Sequence, residues 1–391
     1  MNELHAILDT WRKAQDENQE AVLATVVHVS GSAYRRPGAR MLMLPDGTRV
    51  GSISGGCLEG DVSQKAWWLT EDGKATLRVY DTMSEEDIVW EFGLGCNGII
   101  QVLLERLGSG SARSALEFVD RCRSERADAV VCTVIRASGA SGFACVGDRL
   151  FVTGGKVHGG TLASTPIEAA LIPHCERTFL ERRSRLAHLE NYEVFVEWIG
   201  QPVPLVIFGA GHDAIPLVNI ARQIGWHVTV ADGRPAYAKA SRFPEADLVV
   251  HMHPDDPLAR LAIGPQTVVV LMTHNYPQDG ELLRRILPLA PRYLGILGPK
   301  ARTTRLFAEI GAPPDSTSSA PVGLDIGADT PETIALSIAA EIQAVLSGRE
   351  GGKLKLRDSS IHAPVIEEGT SSVPGTKGIR FDFGCELTSI K

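Results

Sequence analysis

Two cysteines sit inside glycine-rich turns, Ser54-Gly55-Gly56-Cys57-Leu58-Glu59-Gly60 and Gly93-Leu94-Gly95-Cys96-Asn97-Gly98. A cysteine that only fills a core needs no glycines beside it. A thiolate that must meet a large ligand does, because glycine takes positive φ and puts no Cβ in the ligand's way. Backbone N–H groups in such turns can also form an anion-binding nest that lowers a thiol's pKa. The alternative for each is the ordinary state of a free cysteine, a small buried hydrophobe. Arg35, Arg36 and Arg40 lie beside glycines in the preceding loop; they suit an anionic ligand, or else form a solvated face.

A second constellation begins at Val206-Ile207-Phe208-Gly209-Ala210-Gly211-His212-Asp213-Ala214. The pattern G-x-G-x-x-A follows an apolar strand and opens a helix. Gly209 makes the tight turn, Gly211 admits a phosphate, and Ala214 lets the helix pack on the strand. Asp232 closes the next strand, where a ribose is read. Two more loops follow strands of the same block, Met272–Tyr276 and Leu297–Arg302. His274 suits a general acid/base or a ligand-orienting donor, with capping or packing as its plain structural role. Lys300 and Arg302 suit a bound phosphate. These residues define an NAD(P)-dependent oxidoreductase as one functional class, and a binding module without chemistry as another; the fold alone does not choose.

The elements that must hold these residues are legible to different degrees. Periodicity predicts a helix over 3–18, strands at 21–29 and 40–44, a hairpin at Asp46-Gly47, and a helix over 58–70. Strands near 75–80 and 99–105 complete an N-terminal mixed α/β domain, 1–107. Residues 108–200 are expected to extend that domain or to link. They hold strands at 130–136, 142–146 and 149–152 and a charged helix near 176–188. Cys122, Cys132 and Cys145 fall in helix or strand patterns and are expected to pack. Pro204–Phe208, His227–Ala231, Asp247–His251, Thr267–Met272 and Tyr293–Leu297 alternate with helical patterns, which predicts a Rossmann-like doubly wound parallel sheet over 201–348. Residues 328–332 carry a helix-start signal. Residues 349–391 read as an extended or disordered arm. No internal repeat is evident.

The chain has 391 residues, 44% hydrophobic and 22% charged, with seven cysteines and a net charge of −8. That is a globular composition with room for about two or three domains. The acidic balance argues against a general nucleic-acid binder. Scattered cysteines without CxxC spacing argue against structural zinc and fit reduced thiols in the cytoplasm. The N-terminus lacks the pattern of a signal peptide, and no apolar run approaches the ~18 residues of a membrane span.

Together these segments resemble the XdhC/CoxI family of xanthine dehydrogenase accessory proteins. The resemblance is carried by Gly31–Met41, Gly51–Gly60, Phe92–Gly98, Phe208–His212, Ala231–Arg234, Met272–Tyr276, Tyr293–Arg302 and Val322–Ala328. It implies a factor that binds molybdenum cofactor (molybdopterin). Such a factor assists replacement of an oxo by a sulfido ligand with a cysteine desulfurase, and passes the cofactor to a molybdenum hydroxylase such as xanthine dehydrogenase. A homodimer is expected. The resemblance points to Cys57, Cys96 and His274 as the reactive side chains, the two thiolates being soft contacts for molybdenum. It points to Arg35, Arg40, Gly55, Gly56, Gly209, Gly211, His212, Asp232, Lys300 and Arg302 as residues around the cofactor or a nucleotide such as NAD(P). Cys57 and Cys96 are expected to lie close together, at a cleft facing the Rossmann unit.

Overall fold

The computed structural model describes residues 3–31, 33–81, 98–108, 110–138, 143–311 and 318–358, together with the backbone of 366–368. The chain opens with α1 (Glu3–Asp16), whose Ile7, Leu8, Trp11 and Ala14 share a buried face. There follow β1 (Val22–Gly31), β2 (Arg40–Met43), β3 (Arg49–Gly51), α2 (Glu59–Leu69), β4 (Thr76–Asp81) and β5 (Gly98–Arg106). The sheet order is β3-β2-β1-β5-β4, and every pairing is antiparallel. Strand alternation sends Val22 and Ala24 of β1 toward Val62 and Ala66 of α2, and Leu23 toward α1.

The next stretch repeats that order of elements: α3 (Ser111–Ser124), β6 (Ala129–Ala137), β7 (Arg149–Thr153), β8 (Lys156–Gly159), α4 (Pro166–Glu181), β9 (Arg185–Leu189) and β10 (Tyr192–Ile199). Its sheet runs β8-β7-β6-β10-β9, strand for strand the same order, again antiparallel. Residues 3–199 therefore carry an internal duplication, which corrects the reading that no repeat is present. Few positions betray it, because only backbone-critical and charged sites are shared. The spacing of Gly38, Arg40, Gly51 and Glu59 recurs in Gly147, Arg149, Gly160 and Glu168. Gly51 and Gly160 both have positive φ, and a Cβ on them would lie 2.3 Å from the Arg40 carbonyl and 2.2 Å from that of Arg149. Elsewhere only apolar character is kept.

Other details of this region also depart from expectation. The helix expected near 176–188 is α4 followed by β9. Pro173 lies inside α4 and reads from sequence as a breaker. Residues 143–146 form no strand. In the expected C-terminal arm, β17 (Ile366–Glu368) adds parallel to the edge of β9.

The two sheets pack face to face through Val27, Leu103, Ile135, Leu186 and Phe195. The duplication makes two ion pairs between them reciprocal. Arg40 forks onto Glu197 at 2.9 and 2.5 Å, and Arg149 forks onto Glu105 at 2.9 and 2.5 Å. Arg40 also donates to the carbonyl of Gly38, and Arg149 to that of Gly147.

The remaining elements are β11 (Pro204–Phe208), α5 (Ala214–Gln223), β12 (His227–Asp232), β13 (Leu248–His251), β14 (Val268–Leu271), α6 (Tyr276–Ile286), β15 (Tyr293–Ile296), α7 (Lys300–Ile310), β16 (Ser318–Ser319) and α8 (Pro331–Leu346). They form a wholly parallel sheet ordered β13-β12-β11-β14-β15-β16, as expected of a Rossmann-like unit. Helices α5 and α8 cover one face, α6 and α7 the other. Helix α8 starts at a Thr330 capping box with Pro331 in its first turn. The strand order reverses between β11 and β14, so the Gly209 turn and the Met272–Tyr276 loop meet at one crevice. Among the described residues no helix is long and apolar enough to cross a membrane.

Candidate functional site

The Gly-Gly-Cys turn is built around a carboxylate. Glu59, at the start of α2, reaches back over the turn that precedes it. Its Oε1 accepts from Ser52 Oγ at 2.8 Å and from the N–H groups of Ile53, Ser54 and Gly55 at 3.0, 2.9 and 3.2 Å. Its Oε2 accepts from the Gly56 N–H at 3.0 Å and from Ser54 Oγ. Burial raises the Glu59 carboxyl, but the hydrogen bonds from Ser54 and Ser52 outweigh it and bring the group down to about 2. The expected anion nest therefore exists, and the chain's own Glu59 fills it. This corrects the expectation that these amides would stabilise a thiolate at Cys57. The sequence signal for this role of Glu59 is a carboxylate in the first helical turn after a run of small residues.

Cys57 is half-buried. Tyr34 is 69% exposed and its ring lies over Gly55, where a Cβ would come within 2.6 Å of Cδ1. Gly55 and Gly56 both have positive φ. In the second copy the equivalent turn reads Ser164-Thr165-Pro166 in place of Gly55-Gly56-Cys57, and Glu168 still accepts from the Ser164 N–H at 2.5 Å. Both copies thus keep a glutamate on this turn, and the second does without Gly56 and Cys57. Cys96 and its turn lie outside the described residues, and with them the expected closeness of the two thiols.

The arginines fall into two kinds. Arg40 pairs with Glu197 between the sheets, which makes it a structural tie, and it also lines the cleft beside Tyr34. Arg35 pairs with Glu3. Arg36 is held below its usual value by burial and then by Arg183 and Arg349, so three cations from distant parts of the chain gather beside this loop. Among the other cysteines, Cys122 and Cys132 are buried as expected, and Cys132 Sγ lies 3.3 Å from Cys175 Sγ. Cys145 is exposed, against the expectation that it packs, because it sits in the turn before β7 where its N–H is held by Asp148.

At the Rossmann crevice, Gly209 takes φ +111, and a Cβ there would meet the Met272 carbonyl at 2.4 Å. Only glycine lets β11 and the Met272 loop approach so closely. His274 stands at φ +56, in the left-handed region, with its Nε2 2.7 Å from Asp213 Oδ2. Its ring is exposed, as is His212. Asp232 is buried, and its oxygens already accept from the N–H of Ala210 at 2.7 Å and from the N–H, Nε and Nη2 of Arg234. Burial raises its carboxyl; the Arg234 and Ala210 donors outweigh that and hold it below the usual value. Arg302 is tied to the buried Asp279 at 2.6 Å. Lys300 is exposed in the first turn of α7.

The chain is similar to known proteins. Residues 14–81 match the XdhC and CoxI family and residues 205–342 the XdhC Rossmann domain. Over 346 residues the chain is 36% identical to a Bacillus subtilis protein named as a probable xanthine dehydrogenase subunit, covering 88% of this chain and 97% of that protein. The chain belongs to the XdhC and CoxI family. A crystal structure of a Bacillus halodurans protein named as a xanthine dehydrogenase is 34% identical, with a TM-score of 0.73, and covers 90% of this chain and 97% of that one. The Escherichia coli molybdenum cofactor insertion chaperone PaoD is 25% identical over 83% of both chains.

In this family member the crevice is poorly suited to a dinucleotide. Asp213 puts a carboxylate where a pyrophosphate would meet the helix N-terminus, and like charges repel there. Asp232 would have to give up Arg234 to read a ribose. Titration with NADH or NADPH is therefore expected to show a Kd no tighter than about 1 mM, and Asp213→Asn to tighten it. Micromolar binding by the unmodified chain would restore the dinucleotide reading.

Proposed function

We propose that the chain is an accessory factor that binds molybdenum cofactor and assists its sulfuration and insertion into a xanthine dehydrogenase-type molybdenum hydroxylase, with a cysteine desulfurase as sulfur donor. The observation that carries this is the difference between the two copies of the N-terminal unit. Both keep the glutamate-centred turn, and only the first places a thiol and two glycines on it. A thiol and two glycines that one copy has and the other lacks are not set by the shared fold, and a ligand is a reason to have them.

The residues present fit the group. Molybdenum cofactor is a phosphorylated pterin dithiolene, and thiolates suit its metal. Cys57 supplies the soft donor, Gly55 and Gly56 a bare approach, and the cluster around Arg36 a positive field for the phosphate. When bound, the cofactor supplies the redox-active metal; the chain holds it and limits its access to water. The Asp213–His274 pair is a candidate proton donor and acceptor at the second crevice.

The test is anaerobic purification of the full chain from a host that makes the cofactor, with metal analysis and pterin fluorescence after oxidation. Cys57→Ser is expected to fold normally and retain about tenfold less molybdenum, since a hydroxyl is a harder and weaker ligand. Equal retention by the variant would remove Cys57 from the site, and absence of pterin from the unmodified chain would overturn the function.

A further inference from the structure

We infer that Tyr34 is the stacking wall for the pterin ring of the cofactor, an assignment that rests on the reading above. A tyrosine of a folded domain normally buries most of its ring. Tyr34 leaves 69% of its surface exposed while one side is held against the chain. What holds it is Gly55: a Cβ there would lie 2.6, 2.9 and 3.2 Å from Cδ1, Cε1 and Cγ of the ring, so the aromatic plane rests on bare backbone. Two residues further on is Cys57.

The ring also lines a cleft of about 380 Å3, together with Glu3, Ile7, Arg35, Arg36, Gly38 and Arg40. That volume falls in the range of small-molecule sites. The same loop carries Arg36 and its neighbouring cations. The Tyr34–Arg40 loop thus brings an open aromatic face and positive charge onto the Gly55 turn, two residues from a soft donor. Those are the recognition elements of a flat heterocycle that carries sulfur-bound metal and phosphate, and stacking on an aromatic side chain is the sequence-tolerant way to hold such a ring. Phe143 occupies the matching position of the second copy and is also exposed, at 63%. The turn following it carries Pro166 in place of the thiol, so Phe143 serves as an internal control.

The probe is 6-carboxypterin, a fluorescent anionic pterin, titrated into the full chain, with quenching as the readout. Saturable quenching is expected for the unmodified chain. Tyr34→Phe should stay within about twofold and Tyr34→Leu should weaken binding about tenfold, a difference of ~1.4 kcal/mol. Phe143→Leu should change nothing. Gly55→Ala, which displaces the ring, should match Tyr34→Leu. Each variant is compared at equal folded fraction by circular dichroism. Unchanged binding by Tyr34→Leu, or an equal loss in Phe143→Leu, overturns the stacking role and leaves the cofactor reading standing. No quenching by the unmodified chain at any attainable concentration also overturns the stacking role, while the cofactor reading stands or falls on the molybdenum and pterin carried through purification.

Discussion

Replacing Glu59 with glutamine should loosen the Gly-Gly-Cys turn by about 3 kcal/mol. The reasoning starts from the carboxyl's free value of 4.5 and its folded value of about 2. At ~1.4 kcal/mol per pH unit, that difference is worth about 3 kcal/mol to the folded turn. Glu59 is only 8% exposed, so solvent screens little of this. Because the folded value is depressed, the contribution is fully present above pH 4.5 and is lost as pH falls toward 2. Glutamine keeps one acceptor oxygen but lacks the charge. Its amide N–H2 then faces the donors on its other side, Gly56 N–H and Ser54 Oγ. A chain of several units does not unfold as one transition. The measurement is therefore hydrogen exchange at the amides of 53–56, which should quicken about a hundredfold in Glu59→Gln at pH 7, as ~3 kcal/mol requires. The gap between the two proteins should narrow as pH is lowered toward 3. Equal protection at pH 7 would mean that the turn holds its shape without the charge.

This turn also shows where sequence reading stops. The Rossmann-like unit was legible because strands buried on both faces read as unbroken apolar runs, such as Val206-Ile207-Phe208 and Val268-Val269-Val270-Leu271. Gly209 is legible from the G-x-G-x-x-A pattern after a strand, and its neighbours indeed leave no room for a Cβ. The glycines mark the first turn as special but do not reveal its charge. A nest inferred from N–H groups says nothing about what fills it, and the filler was Glu59 itself. Long-range partners were invisible for a different reason. Nothing local to Arg40 points to Glu197, and nothing local to Arg302 points to Asp279, so both looked free for a phosphate. The duplication stayed hidden because its copies agree at a handful of glycines, arginines and glutamates, while their cores agree only in being apolar.

The reciprocal ion pairs yield the other large expected effect. Arg149→Met should destabilise the two-sheet unit by about 3–5 kcal/mol, the usual penalty for stranding one partner of a buried pair. The partner left behind, Glu105, is 4% exposed and would have to ionise without a counter-charge or take up a proton. Arg149 also serves the Gly147 carbonyl, which would lose its donor. The combined variant Arg149→Met with Glu105→Leu should recover most of the loss, since removing both charges also removes their desolvation penalty. Arg40→Met should follow the same pattern with a smaller loss, because Arg40 is 13% exposed against 5% for Arg149. Hydrogen exchange at the core amides of β1, β5, β6 and β10 across the double-mutant cycle measures these terms. A single-variant loss under about 1 kcal/mol would show that water reaches the pair and that the two sheets are held by Val27, Leu103, Ile135 and Phe195 alone. The Arg40 arm separates structure from binding as well. Arg40 also lines the cleft beside Tyr34: if it is only a tie between sheets, Arg40→Met with Glu197→Leu should retain molybdenum like the unmodified chain once folded, whereas loss in the folded double variant would show that the guanidinium also serves the ligand.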